Sequence, residues 1–217
     1  MGDLFHEDVP EDFIREVFEV MRCGSTGEFC RDHIYQILTK RPERMRDFIL
    51  RLQADRGPDF IRWPMPHVWL GVTAEDQKRA NERIPVLLSI RAHVRFVSVE
   101  PMLGAVSVAD LGWRNTASYQ PRINWIICGG ETGPGARPMH PDWARSLRDQ
   151  CRAADVPFFF KQFGEFQQAE ELRDVFNHRT GNFETIPAEH AFLRNGRRRA
   201  GRLLDGREWN ERPDSSA

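Results

Sequence analysis

Five short apolar runs in this 217-residue sequence each end directly in residues that can bind ligands or move protons. Ile34–Leu38 leads into Thr39, Lys40 and Arg41, and Val68–Val72 into Thr73 and Glu75. Val94–Val99 contains Ser98 and stops at Glu100; Ile123–Cys128 stops at Gly129-Gly130-Glu131; Pro157–Phe160 stops at Lys161 and Gln162. A carboxylate and ammonium groups at converging positions suit acid–base chemistry, so Glu100, Lys40 and Lys161 are the catalytic candidates. Gly129 and Gly130 let backbone approach a bound molecule and point amides at an anion. Glu131 suits an amine or ribose hydroxyls and Arg41 a carboxylate or phosphate, so these four form the cofactor-binding set. Solvated loops also supply polar residues at strand ends; it is the coincidence over five runs that favours a site.

Other chemistries find less support. Cys23 and Cys30, with His33 beyond them, imitate ligand spacing but lack a fourth donor, so no metal site is expected. Cys128 and Cys151 fall on apolar stretches and read as core residues. His6 and His140 border expected helix starts, where capping explains them, and His67 lies in a proline-rich loop without an evident role. The sequence contains no His-Glu-x-x-His, no P-loop and no Ser/His/Asp arrangement.

The elements that must position these residues follow from periodicity. Phe13, Ile14, Val17, Phe18 and Met21 repeat at helical spacing. Pro42 opens a second helix with Met45, Phe48, Ile49 and Leu52 on one stripe. Thr73 with Asp76 resembles a capping box for a third, running through Ile90. Pro141 opens a fourth, lined by Trp143, Leu147 and Cys151. Strands alternating with helices at intervals of roughly 30 residues signal βα units and a parallel sheet. The absence of Gly-x-Gly-x-x-Gly after a first strand argues against a dinucleotide-binding sheet. The expected fold is therefore α/β, a partial (β/α) barrel of about five to six parallel strands over residues 1–166. Residues 167–217 are expected to form an appendage packed on the barrel, with an Asp205-Gly206 hairpin near its end.

Composition bounds the rest. Hydrophobic residues at 40% and charged residues at 29% describe a globular chain without an apolar stretch long enough to span a membrane. The N-terminus is acidic and lacks the features of a signal peptide, so a cytoplasmic location is expected. A formal net charge of −1 does not advertise nucleic acid, although Arg194, Arg197, Arg198, Arg199 and Arg202 form a basic run that could touch it.

DLFHEDVP (3–10), QILTKRPERM (36–45), VWLGVTAEDQ (68–77), RFVSVEPMLG (95–104), the segment from Ile126 to Cys151, PFFFKQFGE (157–165) and GRLLDGREW (201–209) closely resemble the phage Gp37/Gp68 family, DUF5131. The resemblance implies a kinship with radical S-adenosylmethionine enzymes. It also implies, for full-length relatives, a C-x6-C-x2-C motif holding a [4Fe–4S] cluster beside S-adenosylmethionine. That motif does not occur here, and the sequence opens where the family's first strand has just ended; a truncated member is the expectation. Cluster binding by this chain is not supported. The function expected is descent from such an enzyme, with an unidentified small-molecule ligand; the alternative is a ligand- or nucleic-acid-binding module without catalysis.

Overall fold

The computed structural model describes residues 2–23, 33–55, 61–109, 121–168, 173–177, 182–186 and 191–214, apart from the side chains of Cys23 and of the segments 173–177 and 182–186. Residues 24–32 lie outside it, so the Cys23/Cys30 spacing falls beyond the described residues.

Helix α1 (Glu11–Cys23) opens on Glu11 and Asp12 and closes on Arg22, charges that complement the helix dipole. Ile14, Phe18 and Met21 are its buried stripe, whereas Phe13, expected on that stripe, faces solvent. Strand β1 (Tyr35–Thr39) precedes α2 (Pro42–Ala54), whose first position is Pro42 and whose buried residues include Met45, Phe48, Ile49 and Leu52. Strand β2 (Val68–Thr73) is buried along its whole length. Helix α3 (Gln77–Ser89) corrects the capping assignment. Asp76 itself is the N-cap, accepting from Arg79 N, and Thr73 is the last residue of β2. Strands β3 (Arg95–Val99) and β4 (Trp125–Gly129) follow without a helix in the described part of their connection. Helix α4 (Pro141–Ala153), capped by His140, leads to β5 (Phe158–Gln162), which ends two residues beyond the apolar run.

The five strands pair in parallel in chain order, β1-β2-β3-β4-β5. Alternation along each strand then sorts side chains onto two faces. One face carries Ile37, Val68, Leu70, Val72, Val97, Val99, Ile126, Cys128, Phe158 and Phe160 into the main core with the helices. The other carries Trp69, Phe96 and Trp125, with Ile127 and Phe159 packed on them. Trp125 is the hub of this aromatic layer, with ring centroids 6.1 Å from Trp69, 5.9 Å from Phe96 and 6.1 Å from Phe159. Helices on one face and a packed layer on the other give a sector of a (β/α) barrel. Gly71 lies under this layer because a Cβ there would stand 2.4 Å from the Phe96 ring.

Beyond β5, β6 (Phe166–Gln168) pairs antiparallel with β9 (Phe192–Arg194), and β7 (Arg173–Asn177) with β8 (Asn182–Ile186). A short helix α5 (Arg197–Ala200) follows. The expected hairpin exists: Leu204 bridges Arg207 across Asp205 and Gly206, with φ of 55° and 76°. The chain then runs antiparallel along the outer edge of β5, Trp209 O accepting from Phe160 N and Glu211 N donating to Phe158 O. Glu211 O also accepts from Trp125 Nε1 at 2.9 Å. Among the described residues, no helix is long and apolar enough to cross a membrane.

Candidate functional site

The site is built from the last residue of each strand on the aromatic face. Continuing the alternation beyond Thr73, Ser98, Ile127 and Phe159 brings Glu75, Glu100, Gly129 and Lys161 to one rim. Lys40 stands at the end of β1. The lysine and glutamate groups pair along this rim: Lys40 Nζ, from β1, is 2.7 Å from Glu75 Oε1 beyond β2, and Lys161 Nζ, from β5, reaches over β4 to within 2.8 Å of Glu100 Oε1 beyond β3. Gly129 sits between Glu100 and Lys161, and a Cβ there would reach 3.3 Å from the Glu100 carboxyl carbon and 3.4 Å from Lys161 Cβ. A slip of register at the end of β4 pairs Gly129 with Gln162, which frees Lys161 to cross toward Glu100.

The two pairs differ in depth. Glu75 keeps a second partner, Arg83, whose Nη1 is 2.8 Å from Oε2 and also donates to Thr73 O and Oγ1 at 3.0 and 2.9 Å. Its backbone carbonyl accepts from Leu103 N, tying the β3–β4 connection to the end of β2. Burial by itself would raise the Glu75 carboxyl. The Lys40 hydrogen bond, a backbone amide and the Arg83 and Lys40 charges overcome it and hold the group below its ordinary value. Glu75→Gln is accordingly expected to cost about 1–3 kcal/mol at neutral pH. The unfolded chain takes up the proton first as pH falls. The difference between parent and variant is therefore full above about pH 4.5, the ordinary glutamate value, and shrinks as pH drops toward the folded pKa. Urea unfolding from pH 7 to pH 3.5 checks this; a difference that stays constant over the whole range contradicts it. The Glu100–Lys161 pair is shallower, Lys161 being half exposed, so exchanging partners there costs about 0–1 kcal/mol.

The other expected site residues go elsewhere. Arg41 turns to the N-terminal segment, its Nη1 3.1 Å from Asp3 Oδ2. Asp3 also accepts from Thr39 Oγ1 at 2.7 Å and Lys40 N at 3.0 Å, latching residues 3–5 over the end of β1. Gly130 faces protein rather than an open approach: a Cβ there would fall 2.0 Å from Phe163 O. Its amide donates to Gln162 O and its carbonyl accepts from Gln162 Nε2 at 2.9 Å, while Gln162 Oε1 accepts from Gly164 N. Glu131 closes its own loop on Arg137, at 2.8 and 3.0 Å, and the Arg137 side-chain and backbone hydrogen bonds bring its carboxyl down to about 2. Lys40, Glu100, Gly129 and Lys161 thus share a rim, while Arg41, Gly130 and Glu131 brace its surroundings.

Arg83 and Asp3 had not been expected. Arg83 is legible in retrospect, because it is a charged residue inside the apolar stripe Ala80, Ile84, Leu87. Asp3 has no such signal, since its partners lie 36 to 38 positions away. His140 caps α4 by accepting from Asp142 N, whereas His6 accepts from Asp8 N in a turn ahead of α1 and does not cap that helix; His67 Nε2 lies 3.0 Å from Met21 O.

The family model described as a protein of unknown function, DUF5131, matches residues 1–213. The chain belongs to the DUF5131 family. No curated protein and no solved structure matches it. The described residues of this DUF5131 chain do not fit an iron–sulfur cluster. Cys128 and Cys151 are buried in the helix-side core, and burial raises both thiols, whereas a cluster needs thiolates at an accessible rim. Cys128 Sγ instead contacts Met102 Sδ at 3.6 Å. Among the described residues, no group of three His, Cys, Asp or Glu side chains is placed to hold a metal.

The basic run of this DUF5131 chain divides in two. Arg194 donates to Gly133 O at 2.8 Å and Arg202 bonds Asn210 Oδ1 at 2.5 Å, whereas Arg197, Arg198 and Arg199 on α5 are exposed.

Proposed function

We propose that the strand-end rim binds a small molecule carrying both an ammonium and a carboxylate, on a barrel descended from a radical S-adenosylmethionine-like enzyme. The observation that supports this is the row Lys40, Glu75, Glu100, Lys161, two acids flanked by two lysines on one rim. Lys40 and Lys161 are half exposed and able to swing, so they take the carboxylate. Glu100, released from Lys161, takes the ammonium. Glu75 holds its place through Arg83 and keeps Lys40 near the rim. The aromatic layer beneath gives the ligand an apolar floor. The resemblance to radical S-adenosylmethionine enzymes agrees with a ligand of this type, because S-adenosylmethionine bears an amino-acid head.

Calorimetric titration with S-adenosylhomocysteine and with methionine tests the reading. At least one is expected to bind the parent, and Lys161→Ala and Glu100→Gln are each expected to weaken it about tenfold, the loss of one charge-assisted hydrogen bond. Failure of both probes to bind, or binding indifferent to both substitutions, removes the proposal.

A further inference from the structure

A cavity bounded by described residues lies at the opposite end of the sheet from the rim. It has a volume near 1000 Å³ and opens where β3, β4 and β5 begin and where α3 and α4 end. Its position follows from the topology. Every other successive pair of sheet strands is joined through a helix, but the described part of the β3–β4 connection holds none. That segment runs between α3 and α4, held by Gln77 on Ser107 and by Gln150 on Val106 and Val108.

The lining is chemically unusual for this molecule. Across the rest of the barrel most arginines are ion-paired: Arg15 with Asp55, Arg51 with Glu11, Arg79 with Glu82, Arg83 with Glu75, Arg148 with Asp149 and Asp205. Arg91, Arg95, Arg122, Arg152 and Arg212 all line the cavity, and none of the five has an ion-pair partner among the described residues. Carboxylates are within the same lining, at Asp155, Glu211 and Asp214, and are not used to neutralise them. Glu211 is committed elsewhere, accepting from Phe158 N at 2.9 Å. Arg95 is 9% exposed, and its Nε and Nη2 both donate to the single carbonyl of Ile90, at 2.9 and 2.7 Å. Burial lowers its pKa from the ordinary arginine value, yet a guanidinium stays charged at neutral pH. A charge this deep without a carboxylate is costly unless an anion completes it.

We infer that this cavity is a binding site for a small molecule bearing a polyphosphate chain. Guanidinium forks match phosphate oxygens bidentately, and a concave wall in which five arginines outnumber three carboxylates favours an entering anion. The volume lies at the upper end of small-ligand cavities and admits a linear polyphosphate or a nucleoside triphosphate, which share this chemistry. The site is separate from the rim, so the two are tested independently.

The test titrates the full chain with sodium tripolyphosphate, with ATP in the absence of magnesium, and with a short DNA duplex, at two salt concentrations. Tripolyphosphate is expected to bind, and the double substitution Arg122→Ala with Arg152→Ala to weaken it at least about tenfold. Arg79→Ala, at the start of α3 and paired with Glu82 away from the cavity, leaves it unchanged. ATP binding tighter than tripolyphosphate identifies a nucleotide as the natural source, and equal affinities identify inorganic polyphosphate. Arginine modification by phenylglyoxal, read by peptide mapping, supplies an arm that needs no variant. Tripolyphosphate is expected to protect Arg122 and Arg152 but not Arg197, Arg198 and Arg199. Absence of tripolyphosphate binding, no protection of Arg122 and Arg152, or a preference of these arginines for the duplex overturns the inference.

Discussion

A Gly130→Ala chain is expected to lose roughly 3 kcal/mol of unfolding free energy, at the upper end of what one added methyl costs in a packed site. The reason is what the methyl would meet. Its nearest neighbours are the carbonyl of Phe163, 2.0 Å away, and the amide of Gly164, 2.9 Å away, which are backbone atoms with no rotamer to give. Relief requires the end of β4 to separate from the turn after β5, which breaks the bonds between Gly130 and Gln162. At this chain length the loss corresponds to a fall in melting temperature of roughly 6–12 °C. Gly135→Ala, where an added Cβ meets nothing within 4 Å, is the control and is expected to stay within about 0.5 kcal/mol of the parent. If the two glycine variants melt together, the close packing at Gly130 is refuted.

Trp125→Ala is expected to cost about 3–5 kcal/mol. The indole is the centre of the aromatic layer, touching Trp69, Phe96 and Phe159, and it is 5% exposed. Its removal leaves a hole between rings too large and too stiff to close over it. It also strips Glu211 O of its donor and so loosens the C-terminal segment from β5. Trp125→Phe separates the two contributions, since it keeps a ring but not the N–H, and is expected to cost about 1 kcal/mol for the hydrogen bond together with a smaller packing loss. Denaturant unfolding measures both. A Trp125→Ala chain within 1 kcal/mol of the parent would mean that this face of the sheet is not a packed layer.

The parallel sheet and its helices were legible because their signals are local. Pro42 and Pro141 mark helix starts, and the run Met45, Phe48, Ile49, Leu52 states both the helix and its buried side. The charged strand ends were legible for the same reason, and Lys40, Glu100, Gly129 and Lys161 do meet on one rim. What the residues alone left out is the competition for each charge. Arg41 could bind a ligand, but Asp3 reaches it from 38 positions away. Gly130 is shaped for close approach, and the approaching group is Phe163 rather than a ligand. Glu131 finds Arg137 within its own loop. Residue type and strand position say which groups can do chemistry; only the fold says which of them are already occupied.

The order of the sheet has a consequence for how the chain can be made. Each parallel pairing joins a strand to the one before it in the chain, so during synthesis every new strand meets an edge that already exists. The antiparallel clasp of Trp209–Glu211 on β5 is the exception, together with the indole bond of Trp125 to Glu211 that spans 86 positions. A nascent chain can therefore accumulate its five-stranded sheet piece by piece, while the last strand's outer edge and the Trp125 N–H wait for the C-terminal segment to leave the ribosome.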